Sequence, residues 1–308
     1  MSSKLVLATI VLIALLIGGN FTALKFALDH TTPILLAGMR TVIGSTFLIS
    51  FALLRGERLP TRTADLFNIF VVSFSITTVS SGLLVAGVSR VPAGLASLIA
   101  STMPLFTALL TFLLLNTVVS RVGALGLATG FAGTVVLASP SMSGATAAAG
   151  VAMMTFSALA WAFGNVYMKW RDFSRVTPVM LVGVQLMMSA AILVPVGLVA
   201  EGTGSTDWSV GLLVPLLYAA IPANAVTFAL LATVATRATP TQAAASAYLI
   251  PVFGVTFGWL IRDERLGPVE AVGGLLVVLG VYLVVTSAAR AGGSSVDPAA
   301  EPLLEVDR

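Results

Sequence analysis

The chain contains no cysteine, a single histidine and very few charged residues. Of its 308 residues, 57% are hydrophobic and only 9% are charged, and the mean hydropathy is +1.03. The lack of cysteine excludes disulfide bonds, thiolate chemistry and zinc–thiolate sites. A soluble protein carries roughly 25% charged residues, so this chain cannot cover a water-facing surface of its size. The composition predicts a polytopic membrane protein that is covered mostly by lipid.

Acidic residues are absent from the middle of every long apolar stretch. The 13 carboxylates fall in polar breaks, in the C-terminal tail or near a predicted helix end. A proton-coupled pump for cationic drugs normally needs an acid at mid-membrane, and the sequence shows none. His30 lies in a predicted loop, where we interpret it as solvated rather than catalytic. Without a Gly-Lys-Ser/Thr phosphate loop the chain is not expected to hydrolyse ATP, and we predict no cofactor and no metal.

Long apolar runs recur along the chain, separated by short polar breaks. A spanning helix takes about 20 apolar residues, whereas membrane strands would alternate polar and apolar residues, which these runs do not. The first run is longer than a signal-peptide core, so we keep it as a helix. We therefore predict an all-α integral membrane protein with about ten transmembrane helices, at 5–27, 33–54, 66–88, 92–115, 122–138, 147–169, 178–200, 210–236, 241–261 and 268–286.

The basic residues predict the orientation of these helices. With the N-terminus in the cytoplasm, eleven Lys and Arg residues fall in cytoplasmic segments and four in external ones, the sixteenth being Arg40 within a span. This bias places both termini in the cytoplasm. The pI near 9.6 reflects these loop residues, so we expect a lipid bilayer as the partner and no nucleic acid.

The first part of the chain recurs in its second part. With a shift of 145, six residues match in a short window: Gly19, Asn20, Thr32, Pro33, Leu36 and Gly38 recur as Gly164, Asn165, Thr177, Pro178, Leu181 and Gly183. Further on, with a shift of 147, Pro104, Gly126 and Gly133 recur as Pro251, Gly273 and Gly280. Five helices per copy is an odd number, so the second copy enters from the opposite side. This predicts two inverted repeats, at 1–139 and 147–286, followed by a disordered cytoplasmic tail at 287–308.

Two segments carry a resemblance to a known family. The first is Gly18-Gly19-Asn20-Phe21 with Lys25, Pro33 and Arg40, and the second runs from Pro251 through Arg262-Asp263-Glu264-Arg265-Leu266 to Gly273 and Gly280. They resemble the EamA family of the drug/metabolite transporter superfamily, over nearly the whole chain. The resemblance implies ten helices in two inverted halves and the export of amino acids or other small metabolites. One departure is that Asn116–Val119 replaces the signature seen at Asp263–Leu266.

Two repeated asparagines are the first candidates for a binding site. Asn20 and Asn165 follow Gly19 and Gly164 inside apolar helices, where an amide is costly unless it is hydrogen-bonded. They could line a central cavity and bind substrate, with the glycines as hinges, or they could bond neighbouring helices. Arg40 lies about seven residues inside the second span, with Gln185 as its counterpart. It could bind a substrate carboxylate or phosphate, or it could reach the membrane interface as a structural residue.

Other polar and aromatic residues complete the predicted site. We predict that these residues face a central cavity, although small hydroxyl residues also serve helix packing: Thr77, Ser101, Asn224, Tyr248 and Trp161. Pro104 and Pro251 lie within spans, where proline frees a carbonyl and bends the helix. They could act as gating hinges or as static kinks.

Together these features predict a secondary transporter that works by alternating access around a central cavity. The expected substrates are small metabolites, amino acids or related compounds first. A multidrug or toxic-compound exporter is the alternative. A membrane-embedded enzyme would need clustered His, Asp or Cys residues, and a scaffold would more often carry a soluble domain. We expect a monomer or homodimer in the cytoplasmic membrane of a bacterium.

Overall fold

The computed structural model describes residues 3–115, 120–140, 144–228, 230–231 and 240–293. All regular structure in these ranges is helical. The helices are α1 (Ser3–Leu28), α2 (Pro33–Leu54), α3 (Thr63–Val72), α4 (Ser80–Val88), α5 (Ala93–Ala100), α6 (Met103–Leu115), α7 (Arg121–Ala138), α8 (Ala145–Trp170), α9 (Pro178–Ala200), α10 (Val210–Ala220), α11 (Pro240–Arg262) and α12 (Pro268–Gly293), with π-helical segments π1 (Ser73–Val79) and π2 (Ile221–Val226).

Eight apolar helices in these ranges are long enough to cross a membrane, some of them built from two or three consecutive elements. They coincide with the first seven predicted spans and with the last. Two shorter apolar helices, Val210–Val226 and Tyr248–Arg262, fall on the predicted spans 210–236 and 241–261. The chain is thus an all-helical, multi-pass membrane protein, and the count of ten remains a prediction.

The largest departure of a described helix end from the predictions is at the end of the last helix. The last helix continues to Gly293, seven residues beyond the predicted end at 286 and into the segment expected to be a disordered tail. Residues 287–293 include three alanines and an arginine, which are good helix formers. The rest of the tail and the Asn116–Val119 segment lie outside the described residues.

The helices α2 and α9 begin with the same dipeptide. Each starts at the proline of a Thr-Pro pair, Thr32-Pro33 and Thr177-Pro178. Proline suits this position because its ring fixes a helical φ and because the first helical N–H groups lack an intrahelical acceptor. The α2 terminus is capped by a carboxylate from the second half: Glu201 accepts hydrogen bonds from the N–H groups of Ile34 and Leu35.

Two helices contain a π-helical segment, and the two segments occupy equivalent places. π1 ends at Val79 and π2 at Val226, which are 147 residues apart. In π1 the Ser75 hydroxyl donates to the carbonyls of Val71 and Val72, so a side chain competes for backbone acceptors. In π2, Pro222 lacks a donor. The sequence predicted unbroken helices here, because a π turn leaves hydrophobicity unchanged.

The two predicted hinge prolines differ in conformation. The helix breaks at Ser101 and Thr102, between α5 and α6, just before Pro104. Proline cannot donate to the carbonyl four residues earlier and its ring crowds that carbonyl, which accounts for the break. Pro251, its counterpart, lies inside the continuous helix α11.

The pair α2 and α9 packs antiparallel with reciprocal contacts at two glycines. A Cβ at Gly38 would lie 3.0 Å from Val194 Cγ2, and a Cβ at Gly183 would lie 2.9 Å from Ile49 Cγ1. Gly38 and Gly183 are 145 residues apart, and so are Ile49 and Val194. Each half therefore presents the same glycine to the same position of the other half.

The pair α7 and α12 packs in the same reciprocal way. A Cβ at Gly126 would lie 2.9 Å from the carbonyl oxygen of Gly280, and one at Gly133 would lie 2.9 Å from that of Gly273. These four glycines are two pairs related by a shift of 147. The two residues of one contact are thus the repeat counterparts of the two residues of the other contact. This pattern is typical of an interface with two-fold symmetry.

We expect Gly280→Ala to destabilise the α7–α12 pair. A Cβ at this position would lie 2.4 Å from the N and Cα atoms of Gly130, so one backbone must move. Overpacking of this kind costs about 1–3 kcal/mol, which will lower the melting temperature of the purified protein in detergent. Gly204→Ala is the control, because a Cβ there meets nothing within 4 Å and the residue lies in a loop. Equal melting temperatures for the two variants would contradict the close approach.

Candidate functional site

A cavity of about 650 Å³ lies between the two halves of the chain. Its wall includes residues of α1, α2 and α4–α7 from the first part and of α8, π2, α11 and α12 from the second. We call it the central cavity. A volume of this size is within the range of roughly 300–1,000 Å³ found for small-molecule sites.

The polar part of the wall is rich in amides and cations. Asn20, Asn165 and Asn224 line the cavity together with the two basic residues Arg40 and Lys169. Hydroxyl groups add weaker partners: Ser101, Thr107, Thr111, Ser120, Thr227 and Ser287. Among the described residues that form the wall there is no carboxylate. The described wall therefore carries two basic side chains and no acidic one.

Arg40 lies in α2, two turns after Pro33. Its Nε and Nη1 atoms are buried, and neither has a hydrogen-bond partner among the described residues. An ionised group without partners is expensive in a membrane interior, and it gains most from a ligand that supplies acceptors. The planar guanidinium is suited to a carboxylate or phosphate, which it can bind through two parallel bonds.

Asn20 places a hydrogen-bond acceptor on the same wall, whereas Arg40 provides donors. Its Oδ1 atom is buried and accepts no hydrogen bond from the part of the chain that the structure describes. This oxygen can accept from a ligand ammonium or amide. Asn165, its repeat counterpart, also lines the cavity and is half-buried.

The glycines before these asparagines allow close helix contacts. A Cβ at Gly19 would lie 2.6 Å from the hydroxyl of Tyr218, and one at Gly164 would lie 2.3 Å from Ile76 Cγ1. Helix α1 thereby approaches α10, and α8 approaches π1. The contacts are the packing role of small residues, and the predicted hinge role of both glycines remains a prediction.

Aromatic and aliphatic side chains form most of the remaining wall. Trp161 lines the cavity and stacks on Phe228, with ring centroids 6.3 Å apart and an interplanar angle of 18°. Phe21, Ile13 and Ile17 add apolar surface from α1. Pro104 also lines the wall, next to the break between α5 and α6. The site can hold an apolar group beside its polar one.

Besides Gly19 and Gly164, four further predicted site residues lie outside the lining of this cavity. Gln185 donates from Nε2 to the Thr77 hydroxyl at 2.6 Å, and both side chains are buried. Tyr248 packs against Tyr282, with ring centroids 5.7 Å apart, and its buried hydroxyl has no partner among the described residues. Pro251 is buried inside α11. A substrate or hinge role for these four remains a prediction.

Sequence reasoning missed Lys169 as a cavity residue. It was counted only among the basic residues of a cytoplasmic segment. The signal that could have found it is its spacing, because Trp161, Asn165 and Lys169 follow one another at i, i+4 and i+8. Residues at this spacing share one face of a helix.

The cavity reaches one end of the molecule. We call the end that holds the α2–α3 loop the Glu57 end and the end that holds the α1–α2 loop the Asp29 end. Toward the Glu57 end the cavity is lined by the exposed residues Ser120 and Lys169. Toward the Asp29 end a core of buried side chains follows, in which Leu24, Leu36 and Leu95 pack together.

The Asp29 end is closed by contacts with the first half. They are made by α11 and by the loop that follows it. Arg262 donates to Asp29 at 2.7 Å. Glu264 accepts a hydrogen bond from the N–H of Gly94 at 3.1 Å, at the start of α5. A carboxylate at this place satisfies a free N–H group and interacts favourably with the helix dipole.

Contacts between the loops beside α2 and α9 are present at both ends. At the Asp29 end the hydroxyls of Thr31 and Thr206 are 2.9 Å apart. At the Glu57 end the Thr177 hydroxyl donates to Glu57. The α2–α9 pair is therefore tied at both ends in one structure, whereas the contacts described for α11 and its following loop with the first half lie at the Asp29 end.

A helical, multi-pass membrane protein with a partly polar cavity that reaches one face has the architecture of a membrane transporter. The EamA-like transporter family model matches residues 4–139 and 148–286. The chain belongs to this family, which confirms the resemblance drawn from its sequence.

Named relatives agree with this class. The chain is 30% identical to the "Uncharacterized transporter YvbV" of Bacillus subtilis, over 90% of this chain and 92% of that protein. It is 25% identical to the "Probable amino-acid metabolite efflux pump" of Escherichia coli, over 89% and 92% respectively. A crystal structure with 18% identity matches the fold with a TM-score of 0.63, covering 89% of this chain and 96% of the other.

Proposed function

We propose that this protein is a secondary transporter that exports amino acids or related zwitterionic metabolites by alternating access. The observation that carries the proposal is that Arg40 Nε and Nη1 are buried without a partner among the described residues, on a wall whose described residues include no carboxylate. A positively charged wall favours substrates that carry an anionic group. It disfavours the cations that many drug exporters move.

Two buried polar groups of the cavity wall without partners among the described residues match the two charges of an amino acid. The Arg40 guanidinium would bind the carboxylate, and Asn20 Oδ1 would accept from the ammonium group. Trp161 and the aliphatic residues of α1 would contact the side chain of the substrate. This assignment uses the groups that lack partners and leaves the apolar wall for the variable part of the substrate.

The reciprocal glycine contacts and the equivalent π segments support two inverted repeats, at 1–139 and 147–286. Inverted repeats let one scaffold adopt two opposite conformations around a central site. The excess of basic residues in cytoplasmic segments supports a cytoplasmic location for both termini. The Glu57 end then faces the cytoplasm, and this structure is the inward-open state of a bacterial cytoplasmic membrane protein.

One observation favours the alternative of a multidrug or toxic-compound exporter. Most of the cavity wall is apolar, with Trp161 stacked on Phe228, and such a wall would accept a hydrophobic compound. The same wall offers no described acid for a cationic drug, so the compounds would have to be neutral or anionic. The name of one relative, an amino-acid metabolite efflux pump, supports the first proposal.

Flux through purified protein in liposomes tests the proposal. We expect a labelled amino acid to cross with saturation, and its decarboxylated amine to cross far more slowly. Flux should fall in Asn20→Ala and persist without a pH gradient, since the described wall has no acid to carry a proton. Equal flux of the amine would contradict the role of the carboxylate. Accumulation that requires a proton gradient would contradict an uncoupled mechanism.

A further inference from the structure

The predicted site residues separate into two groups according to the repeat. Four pairs are related by a shift of 145 or 147, and in each pair the first residue lines the cavity while the second does not: Arg40 and Gln185, Asn224 and Thr77, Ser101 and Tyr248, Pro104 and Pro251. Asn20 and Asn165 are the exception, because both line it. Three of the lining members come from the first half and one, Asn224, from the second, so neither repeat as a whole is the binding half.

We call the four lining residues the lining set and their four counterparts the packed set. Two residues of the packed set already contact each other. Gln185 and Thr77 are joined by a buried hydrogen bond of 2.6 Å, and the Ser73 hydroxyl adds a second bond to the Gln185 carbonyl at 2.6 Å. The counterparts of Gln185 and Thr77 are Arg40 and Asn224. Both of these line the open cavity, and no hydrogen bond joins them.

We propose that the lining set and the packed set exchange roles between the two conformations of the transporter, so that each set lines the cavity in one of them. In the state that opens to the Asp29 end, Arg40 is bonded to Asn224. The Thr77–Gln185 bond is then broken, and Thr77, Gln185 and Tyr248 line the cavity. The inference rests on the proposed alternating access of inverted repeats, and it assigns a second, neutral binding surface that forms only in that state.

The exchange gives the two sides different affinities for an anion. The Arg40 guanidinium is free for a carboxylate when the cavity faces the Glu57 end, whereas its counterpart on the other surface is the neutral Gln185. KM should therefore be lower for substrate applied at the Glu57 end. A carrier that is not coupled to an ion gradient must have the same ratio of Vmax to KM in both directions. Vmax should therefore be lower from the Glu57 end by the same factor as KM.

The absence of cysteine makes the exchange directly measurable. Single cysteines are introduced in two matched pairs, Asn224→Cys with Thr77→Cys and Ser101→Cys with Tyr248→Cys. Proteoliposomes of known orientation are treated with a membrane-impermeant thiol reagent from one side at a time. We expect the Asn224 and Ser101 variants to react from the Glu57 end, and the Thr77 and Tyr248 variants from the Asp29 end.

The opposite outcomes are distinct from failure of the transport proposal. Reaction of the Thr77 and Tyr248 variants from the Glu57 end, or from neither end, would overturn the exchange. Flux of the labelled amino acid is measured in the same liposomes. Flux together with those labelling results removes only the exchange, whereas absent flux with the expected labelling removes only the substrate.

A designed imbalance provides a second measurement. Thr77→Val removes the hydroxyl that accepts the Gln185 hydrogen bond in this structure, so it should favour the state open to the Asp29 end. With Tyr248→Cys as the reporter, we expect labelling from that end to rise about fivefold, the effect of one hydrogen bond of ordinary strength. Unchanged or slower labelling would overturn the proposal.

Discussion

Arg40→Gln should raise the KM for a transported amino acid about tenfold to a hundredfold for substrate applied at the Glu57 end. The guanidinium has two buried N–H groups without partners among the described residues, so the substrate carboxylate supplies acceptors that the protein does not. A hydrogen bond to a charged group contributes about 1.5–3 kcal/mol, which corresponds to that range. Initial rates of labelled flux over a series of substrate concentrations give the KM.

Glutamine is the informative replacement because Gln185 occupies the equivalent place in the other repeat, so the surrounding helices accept it. Arg40→Lys is the matched control: it keeps the charge and loses the planar pair of donors, and we expect an intermediate KM. A neutral substrate, if one is transported, should be unaffected by either change. An unchanged KM in Arg40→Gln with normal folding would assign Arg40 to structure alone.

The spans and the cavity asparagines could be predicted from the sequence because hydrocarbon imposes strong rules. A helix must be apolar over its whole crossing, and so α2 and α9 coincide with their predicted bounds, 33–54 and 178–200. Within such helices an amide is exceptional. The recurrence of Asn20 as Asn165 therefore indicated a shared environment, and both residues line the cavity.

The division of the other candidates could not be predicted, because a repeated sequence treats its two copies alike. Thr77 and Asn224 occupy equivalent places, yet one is bonded to Gln185 and the other lines the cavity. In the exchange proposed above, which member faces the cavity depends on the conformation, and conformation is a property of the packed halves. The π segments were missed for a different reason, since the hydrogen-bond register of a helix leaves no mark on its hydrophobic pattern.

A disulfide between Gly94→Cys and Val255→Cys should abolish transport. These positions join α5 to α11 at the closed Asp29 end, and a Cβ built at Gly94 lies 3.9 Å from Val255 Cβ. Disulfides need a Cβ separation of about 3.5–4.5 Å, so this separation suits a disulfide and we expect the bond to form. Ala108, the counterpart of Val255, lines the cavity, so this contact has to open when the cavity changes sides.

Flux should stop on oxidation, return on reduction and remain normal in both single variants. Thr31→Cys with Thr206→Cys is the matched control at the same end, where the two hydroxyls are 2.9 Å apart. These residues belong to the α2–α9 pair, whose loops are also tied at the Glu57 end through Thr177 and Glu57. A crosslink there should form and leave transport intact, because a contact present at both ends does not have to break.

Transport that survives the Gly94–Val255 crosslink would show that the Asp29 end opens elsewhere. Loss of transport with the control pair would show that the α2–α9 loops also move.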